Sequence, residues 1–325
     1  MPELPDVTVY IEHLAQRTVG HALERVRLAS PFVLRTVDPP IAAVAGREVR
    51  RVSRLGKRIV FSFAAKKKEE EEPLHLVIHL MVAGRFRWKP AGAPVPGKIG
   101  LAAFDFASAT GKAAREKDAG TLILTEASSK KRASIHIVRG DAELLALAPD
   151  GLEVLDSSTG KFAERLRSEN HTLKRALTDP HLFSGIGNAY SDEILHHAGM
   201  SPVKLTSRLT DEEITKLHAS IREVIVSWTD RLRARSGAFP EKVTAFQPEM
   251  AVHGKYGQPC PRCGTRVQRI RYADNEMNYC STCQTDGKLL ADRSLSRLMR
   301  GDWPKTLEAL EAKKEGLRAA PSPRR

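Results

Sequence analysis

Cys260-Pro261-Arg262-Cys263 and, 16 residues further on, Cys280-Ser281-Thr282-Cys283 contain all four cysteines of a 325-residue chain. Two CxxC pairs at this separation match a four-thiolate zinc site. Four protein ligands leave no open coordination position, so a single Zn2+ bound there is structural. Confining every cysteine to positions 260–283 also argues against a disulfide framework and for a reducing compartment. Between the pairs, residues 272–278 read as a β-hairpin tip with Asp274-Asn275 as its turn. Arg262, Arg266, Arg269 and Arg271 make this module basic.

The other end of the chain reads Met1-Pro2-Glu3-Leu4-Pro5-Asp6. A small second residue favours trimming of the initiator Met, which leaves Pro2 as a secondary amine. An α-amino group titrates at about 7.7 to 8.0, so a useful fraction is unprotonated near neutrality. Such an amine can attack a carbonyl or acetal carbon and form a covalent iminium. Glu3 is placed to donate a proton to a leaving oxygen.

The net charge of +13 implies a polyanionic partner, since phosphate neutralisation and counterion release dominate such binding. No apolar signal-peptide core follows Met1, and no apolar run of about 18 residues exists. The expectation is a soluble, cytoplasmic protein without a membrane partner. A length of 325 residues allows about two domains of roughly 150 each.

Residues 5–19 carry Val7, Tyr10, Ile11, Leu14 and Ala15 at helical spacing, with Pro5 in the first turn and Gly20 as a left-handed stop. Between about 23 and 138 the pattern turns to strands, with Leu74, Leu76, Ile78 and Leu80 alternating and further short runs at 102–106, 121–125 and 134–138. Strands without intervening helices predict a sandwich or barrel. Arg47, Arg50, Arg51, Arg54, Lys57 and Arg58 form a basic stretch whose alternate members could follow a phosphate backbone or simply face solvent. The run Lys66 to Glu72 reads as a solvated hairpin tip. Pro149-Asp150-Gly151 is a natural hinge, after which helices dominate. Thr210 and Glu213 form a capping-box pattern ahead of an apolar stripe from Ile214 to Leu232. Gly185-Ile186-Gly187-Asn188 precedes another helix, which Asn188 could cap so that its free N–H groups face an anion.

Taken together, Pro2-Glu3, the Gly185 to Asn188 tetrad and the two CxxC pairs resemble the formamidopyrimidine-DNA glycosylase and endonuclease VIII family over about residues 1 to 285. Leu147-Ala148-Pro149 is similar to its interdomain linker, and Ile78-His79-Leu80-Met81 to the strand entering its DNA-facing loop. The resemblance implies an α+β fold: an N-terminal β-sandwich led by a helix, then a helix–two-turn–helix domain with a zinc hairpin. The corresponding boundaries are 1–148, 149–250 and 251–285, with a C-terminal extension at 286–325. It implies a monomeric, bacterial-type base-excision repair enzyme acting on damaged double-stranded DNA in the nucleoid. Pro2 is then the nucleophile at C1′, Glu3 the general acid, and Lys57 and Asn188 phosphate contacts. The damaged nucleotide is flipped out and side chains fill the gap.

The chain departs from the family pattern at several of these positions. The family's Met-Arg-Phe wedge falls on Val82 (with Met81 adjacent), Lys130 and Arg132. Asn275 stands where the zinc hairpin usually carries an Arg, with Arg271 nearby. His181 replaces a lysine before the Gly-x-Gly-Asn tetrad, and residues 236–252 form a short lid. A short lid favours ring-opened formamidopyrimidines and oxidised pyrimidines over 8-oxoguanine. Leu289, Leu290, Leu295, Leu298 and Met299 predict one added helix, and Leu307 and Leu310 another. Two other classes compete with the enzyme: a non-catalytic damaged-DNA-binding protein retaining the fold, and a zinc-ribbon module of a nucleoprotein assembly. The second leaves Pro2-Glu3 unexplained.

Overall fold

The computed structural model describes residues 1–64, 72–107, 119–241, 243–244, 246–272, 275–291 and 302–319. The Lys66 to Glu72 run, apart from Glu72, and the helix expected around Leu295, Leu298 and Met299 lie outside them. The chain divides into two compact units, one of residues 1–151 and 225–245, the other of residues 152–224 and 246–325. The division after Gly151 falls at the Pro-Asp-Gly hinge. The first unit also takes the end of the long second-unit helix and the stretch after it, which a linear reading of domain boundaries does not anticipate.

In the first unit, helix α1 (Leu4–Thr18) starts early because Pro5 suits its first turn and Asp6 caps the backbone N–H of Glu3. Val7, Tyr10 and Leu14 point into the core, and Gly20 follows the helix in the left-handed region at φ 83°. Eight strands follow: β1 (Ala22–Leu28), β2 (Arg47–Leu55), β3 (Arg58–Phe63), β4 (Leu74–His79), β5 (Gly84–Pro90), β6 (Gly100–Phe106), β7 (Gly120–Glu126) and β8 (Ser134–Arg139). Their order is β5-β7-β6-β1-β2-β3-β4-β8, every pairing antiparallel. β1 and β2 are joined only through Ala22↔Glu48 and Leu23↔Arg47, so the sheet behaves as two four-stranded layers. One apolar core takes side chains from both layers, with Phe61 of β3 stacked on Phe106 of β6 at 6.1 Å between ring centroids. This is the expected β-sandwich.

Two expectations for the strands need correction. His75 of β4 is buried, so β4 does not alternate between a wet and a dry face. The outer face is instead covered by a second cluster of Val60, Val77, Val138 and Leu144, the last on helix α2 (Gly140–Ala146). In the basic stretch, Arg47 is buried and donates to the carbonyls of Ala43 and Ala64, so it serves the fold. A bulge between Val49 and Arg51 breaks the alternation and leaves Arg50 and Arg51 both exposed.

The second unit is helical: α3 (Thr159–Arg167), α4 (Leu173–Thr178), α5 (Asn188–Ala198) and α6 (Asp211–Arg235). Strands β9 (Gln268–Tyr272) and β10 (Asn275–Tyr279) form a hairpin, followed by α7 (Ser281–Thr285) and α8 (Leu307–Ala319). Ile214, Leu217, Ile221, Val224, Ile225 and Trp228 of α6 are buried, as their spacing requires. The capping box is formed, with Thr210 N donating to Glu213 Oε2 at 3.1 Å and Glu213 N to Thr210 Oγ1 at 3.3 Å. Thr210→Ala is expected to cost about 1 kcal/mol. A lowering of about 2 to 4 °C in the melting of this unit, followed by circular dichroism, checks it.

Past α6, Phe239 packs against Tyr10 and Trp88 at centroid distances of 6.0 and 6.4 Å, and Arg233 pairs with Glu12. These contacts draw the first half of the short 236–252 stretch into the first unit. Beyond the hairpin, Leu290 adds to the small core of Ile270, Met277 and Tyr279, while Arg266 lies 3.4 Å from Glu311 on α8. The extension therefore packs on the hairpin module.

Candidate functional site

The first six residues are folded inward. Pro2 is buried, Glu3 is 3% exposed and Asp6 2%. Glu3 is the N-cap residue of α1, in extended backbone, and shares a reciprocal capping box with Asp6. Two carboxyl groups therefore sit at the positive end of a 15-residue helix, where its dipole favours negative charge. Burial pushes the chain-terminal amine, here that of Met1, below its ordinary value. Arg85 and Lys57 push in the same direction, while Glu3 and Asp6 oppose them. Pro2, Glu3, Asp6, Lys57 and Arg85 thus share one electrostatic neighbourhood around a partly desolvated amine.

Burial is also the main reason that the Asp6 carboxyl titrates high, at about 7. Its Oδ2 accepts from Glu3 N at 2.9 Å, but its Oδ1 is buried without a hydrogen-bond partner. Because the folded pKa lies above the unfolded one, the stability that Asp6 contributes is complete below about pH 3.9 and is lost as pH rises through 7. Asp6→Asn keeps an acceptor for Glu3 N and removes the titration. Between pH 5 and pH 7, wild type is expected to lose about 2 to 3 kcal/mol relative to Asp6→Asn. Parallel denaturant titrations at the two pH values check this, and equal pH slopes would show that the carboxyl titrates normally.

Lys57 lies in the tight turn between β2 and β3, after Gly56 at φ 60°. Met81 and Val82 sit in the turn entering β5. Met81 is half-buried in left-handed backbone at φ 52°, whereas Val82 projects, 58% exposed. The turn requires Gly84, where a Cβ would lie 2.2 Å from the carbonyl oxygen of Leu80. Arg85 fastens it by donating to the carbonyls of Val82 and Gly84. Lys130 and Arg132 are exposed on the loop between β7 and β8. Buried Glu126 shapes that loop, its carboxylate accepting from the backbone N–H of Arg132 and Ala133.

In the second unit the helix cap differs from expectation. Gly187, in extended backbone, is the N-cap of α5, and Asn188 is its first helical residue. Asn188 Nδ2 donates to the carbonyl of Glu276 on β10 at 2.9 Å, so the helix start and the hairpin are joined. Asn275 is likewise a strand residue, opposite Tyr272, and the tip at 273–274 lies outside the described residues. Arg271 is exposed on β9 opposite Glu276. His181 is exposed, its backbone held by Asp179 and Arg165.

Behind Asn188 lies a polar hub that sequence reasoning missed. Asp192 is fully buried and accepts from Lys174 Nζ at 2.6 Å, His253 Nδ1 at 2.8 Å and Asn278 N at 3.2 Å. Lys174 also donates to the carbonyl of Asn188. Next to it, Glu193 accepts from the backbone N–H groups of Ala251, Val252 and His253. The available signal was two successive acidic residues, Asp192 and Glu193, in the middle of a helix that carries no other acidic residue. Adjacent buried carboxylates need dedicated donors, and here three separate segments supply them: Lys174, residues 251–253 and Asn278.

The four cysteines converge. Their Sγ atoms all lie within 4.8 Å of one another, with Cys260–Cys283 at 3.9 Å and Cys263–Cys280 at 3.4 Å. A tetrahedron with zinc–sulfur bonds of about 2.3 Å has edges of about 3.8 Å. No pair is disulfide-bonded. The donor set therefore fits one structural Zn2+ held by Cys260, Cys263, Cys280 and Cys283. No helix among the described residues is long and apolar enough to cross a membrane.

Comparison with known proteins agrees with this geometry. Residues 1–122 match the model of the formamidopyrimidine-DNA glycosylase N-terminal domain, 147–230 that of its H2TH domain, and 257–285 the zinc finger found in FPG and IleRS. The formamidopyrimidine-DNA glycosylase of Desulforamulus reducens is 30% identical over 295 residues, covering 87% of this chain and 99% of that protein. That of Thermus thermophilus is 30% identical over 296 residues, covering 88% and 100%. A formamidopyrimidine-DNA glycosylase-like protein of Mycobacterium tuberculosis is 39% identical over 162 residues, half of this chain and 99% of that one. Among solved structures, a Lactococcus lactis Fpg mutant in complex with Fapy-dG-containing DNA superposes with a TM-score of 0.71 at 26% identity, covering 87% of this chain and all of that one. The wild-type Lactococcus lactis protein with DNA containing an oxidised pyrimidine gives the same score. With three domain models matched in order and full-length relatives at 30% identity, the chain belongs to the formamidopyrimidine-DNA glycosylase family.

Proposed function

We propose that this protein is a DNA glycosylase of base-excision repair with abasic-site lyase activity, acting on ring-opened and oxidised bases in duplex DNA. The observation that carries the reading is the buried amino terminus, with Glu3 beside it and an amine held below its ordinary pKa. Once Met1 is removed, the neutral amine of Pro2 attacks C1′ of an extruded nucleotide. The glycosidic bond breaks, the base departs, and Glu3 protonates the ring oxygen as the sugar opens. The resulting iminium acidifies C2′. Loss of that proton expels the 3′ phosphate, and a second elimination expels the 5′ phosphate. Lys57 contacts phosphate near the lesion. Asn188, the hairpin and Arg271 hold the backbone, while Met81, Val82, Lys130 and Arg132 occupy the space the nucleotide leaves.

Arg132 and Asn275, in place of the family's aromatic wedge and hairpin Arg, favour a second reading, a binding protein that does no chemistry. Borohydride trapping separates the two, because only a covalent iminium can be reduced to a stable protein–DNA adduct. An adduct with abasic-site or formamidopyrimidine duplexes supports the enzyme. Tight binding without any adduct overturns it.

A further inference from the structure

We propose that His196 is a positioning residue of the zinc knuckle, whose Nε2–H donates to the Cys260 thiolate and ties the metal site to the helix that begins at Asn188. His196 Nε2 lies 3.2 Å from Cys260 Sγ, and the two residues are 3% and 2% exposed. A zinc ion with four thiolates carries a net charge of −2. Here two of those sulfurs, those of Cys260 and Cys280, sit in an apolar cluster with Val252 and Val267. Charge in such surroundings needs hydrogen-bond donors, and donors to ligand atoms both orient the ligand and tune its basicity. An imidazole N–H at this distance is such a donor. The other members of the cluster are the aliphatic Val252, Val267 and Ala251 and a third ligand, Cys283.

The contact is one of several that join the last turn of α5 to the knuckle. Arg262 Nη2 donates to the carbonyl of His197 at 3.2 Å, and Gln284 Nε2 to that of Met200 at 2.9 Å. Gln284 Oε1 in turn accepts from Cys280 N at 2.9 Å. Gly199 ends the helix in left-handed backbone at φ 65°, where the chain runs beside the carbonyl of Cys283. At the other end of the same 11-residue helix, Asn188 is bonded to the hairpin. Metal and hairpin are thereby coupled along one rigid element. His196 is the only member of the set among these contacts that touches a ligand sulfur.

Two variants separate hydrogen bonding from space filling. His196→Phe keeps an aromatic ring and removes the donor, while His196→Gln keeps an N–H donor without the ring. Zinc transfer from the purified full-length protein to the chromophoric chelator 4-(2-pyridylazo)resorcinol is expected to be about 10- to 100-fold more favourable for His196→Phe. His196→Gln is expected to stay near wild type. In cobalt(II)-substituted protein, the thiolate-to-metal charge-transfer band of His196→Phe should shift, since a donor is lost from one sulfur. Wild-type chelator competition and an unshifted cobalt band in folded His196→Phe overturn the proposal. Should His196→Phe fail to fold, His196→Gln decides alone: retention of zinc supports the donor role, and loss of zinc from a folded protein overturns it. None of these readouts depends on chemistry at Pro2, so their failure and failure of the glycosylase reading are distinguishable.

Discussion

Protein whose amino terminus is blocked, by an added residue ahead of Pro2 or by acetylation, is expected to give no borohydride-trapped adduct with abasic-site DNA, while the untreated protein gives one. The nucleophile proposed here is a single nitrogen, and its reactivity depends on a free lone pair. With Met1 in place, burial, together with the nearby charges of Arg85 and Lys57, lowers the pKa of the Met1 amine, and Pro2 is itself buried in the same neighbourhood. Acylation removes that lone pair without disturbing the core formed by Val7, Tyr10 and Leu14. Glu3→Gln provides a second and different readout. Without its acid, base excision is expected to fall about 10²- to 10⁴-fold. A preformed abasic site needs no base expelled, so the same variant should still trap on that substrate. A blocked terminus that traps as well as the free one would remove Pro2 from the mechanism. Equal losses of Glu3→Gln on both substrates would mean that Glu3 supports the fold or the amine rather than protonating the ring oxygen during base excision.

The second large effect concerns the metal. Cys280→Ser is expected to reduce zinc from one per chain to essentially none and to unfold the hairpin while the first unit stays intact. Among the described residues the module has little apolar core of its own. Its apolar content is one cluster of Val252, Val267 and the buried cysteines, and another of Ile270, Met277 and Tyr279. So small a core does not stabilise a fold unaided. Structural zinc contributes about 10 to 16 kcal/mol in comparable small modules. Because Asn188 is bonded to Glu276, melting of β10 also frees the start of α5. Losing both sets of the phosphate contacts proposed for Asn188 and the hairpin is expected to weaken DNA binding by about 2 to 3 kcal/mol, about 30- to 150-fold. Metal analysis, circular dichroism and fluorescence anisotropy with a labelled duplex measure the three effects. DNA binding that survives zinc loss undiminished would show that the hairpin is dispensable.

Much of this molecule is determined by local sequence. The zinc knuckle follows from ligand type and spacing, because thiolates separated by two residues on each side of a hairpin can close a tetrahedron in few other ways. Helix α1, the capping box at Thr210, the apolar stripe of α6 and the strands near 102–106, 121–125 and 134–138 were equally apparent, since each depends on periodicity and turn chemistry within a few residues. What the sequence could not determine by itself is what distant segments supply to one another. Arg47 belongs to a basic run, and only the carbonyls of Ala43 and Ala64 turn it inward. Asp6, Glu126, Asp192 and Glu193 look like ordinary surface acids, and tertiary structure makes each a buried acceptor. The N–H groups that Glu126 accepts lie six and seven residues away, whereas those of Asp192 and Glu193 come from as far as residue 278. His196 reads as one polar residue near a helix end until folding sets Cys260 beside it. Strand order β5-β7-β6-β1-β2-β3-β4-β8 belongs to the same class, because pairing β1 with β6 depends on closing a loop that no local propensity encodes. Local chemistry chose the elements and the metal, and the desolvation of buried charge, which exists only once the chain is packed, chose the partners.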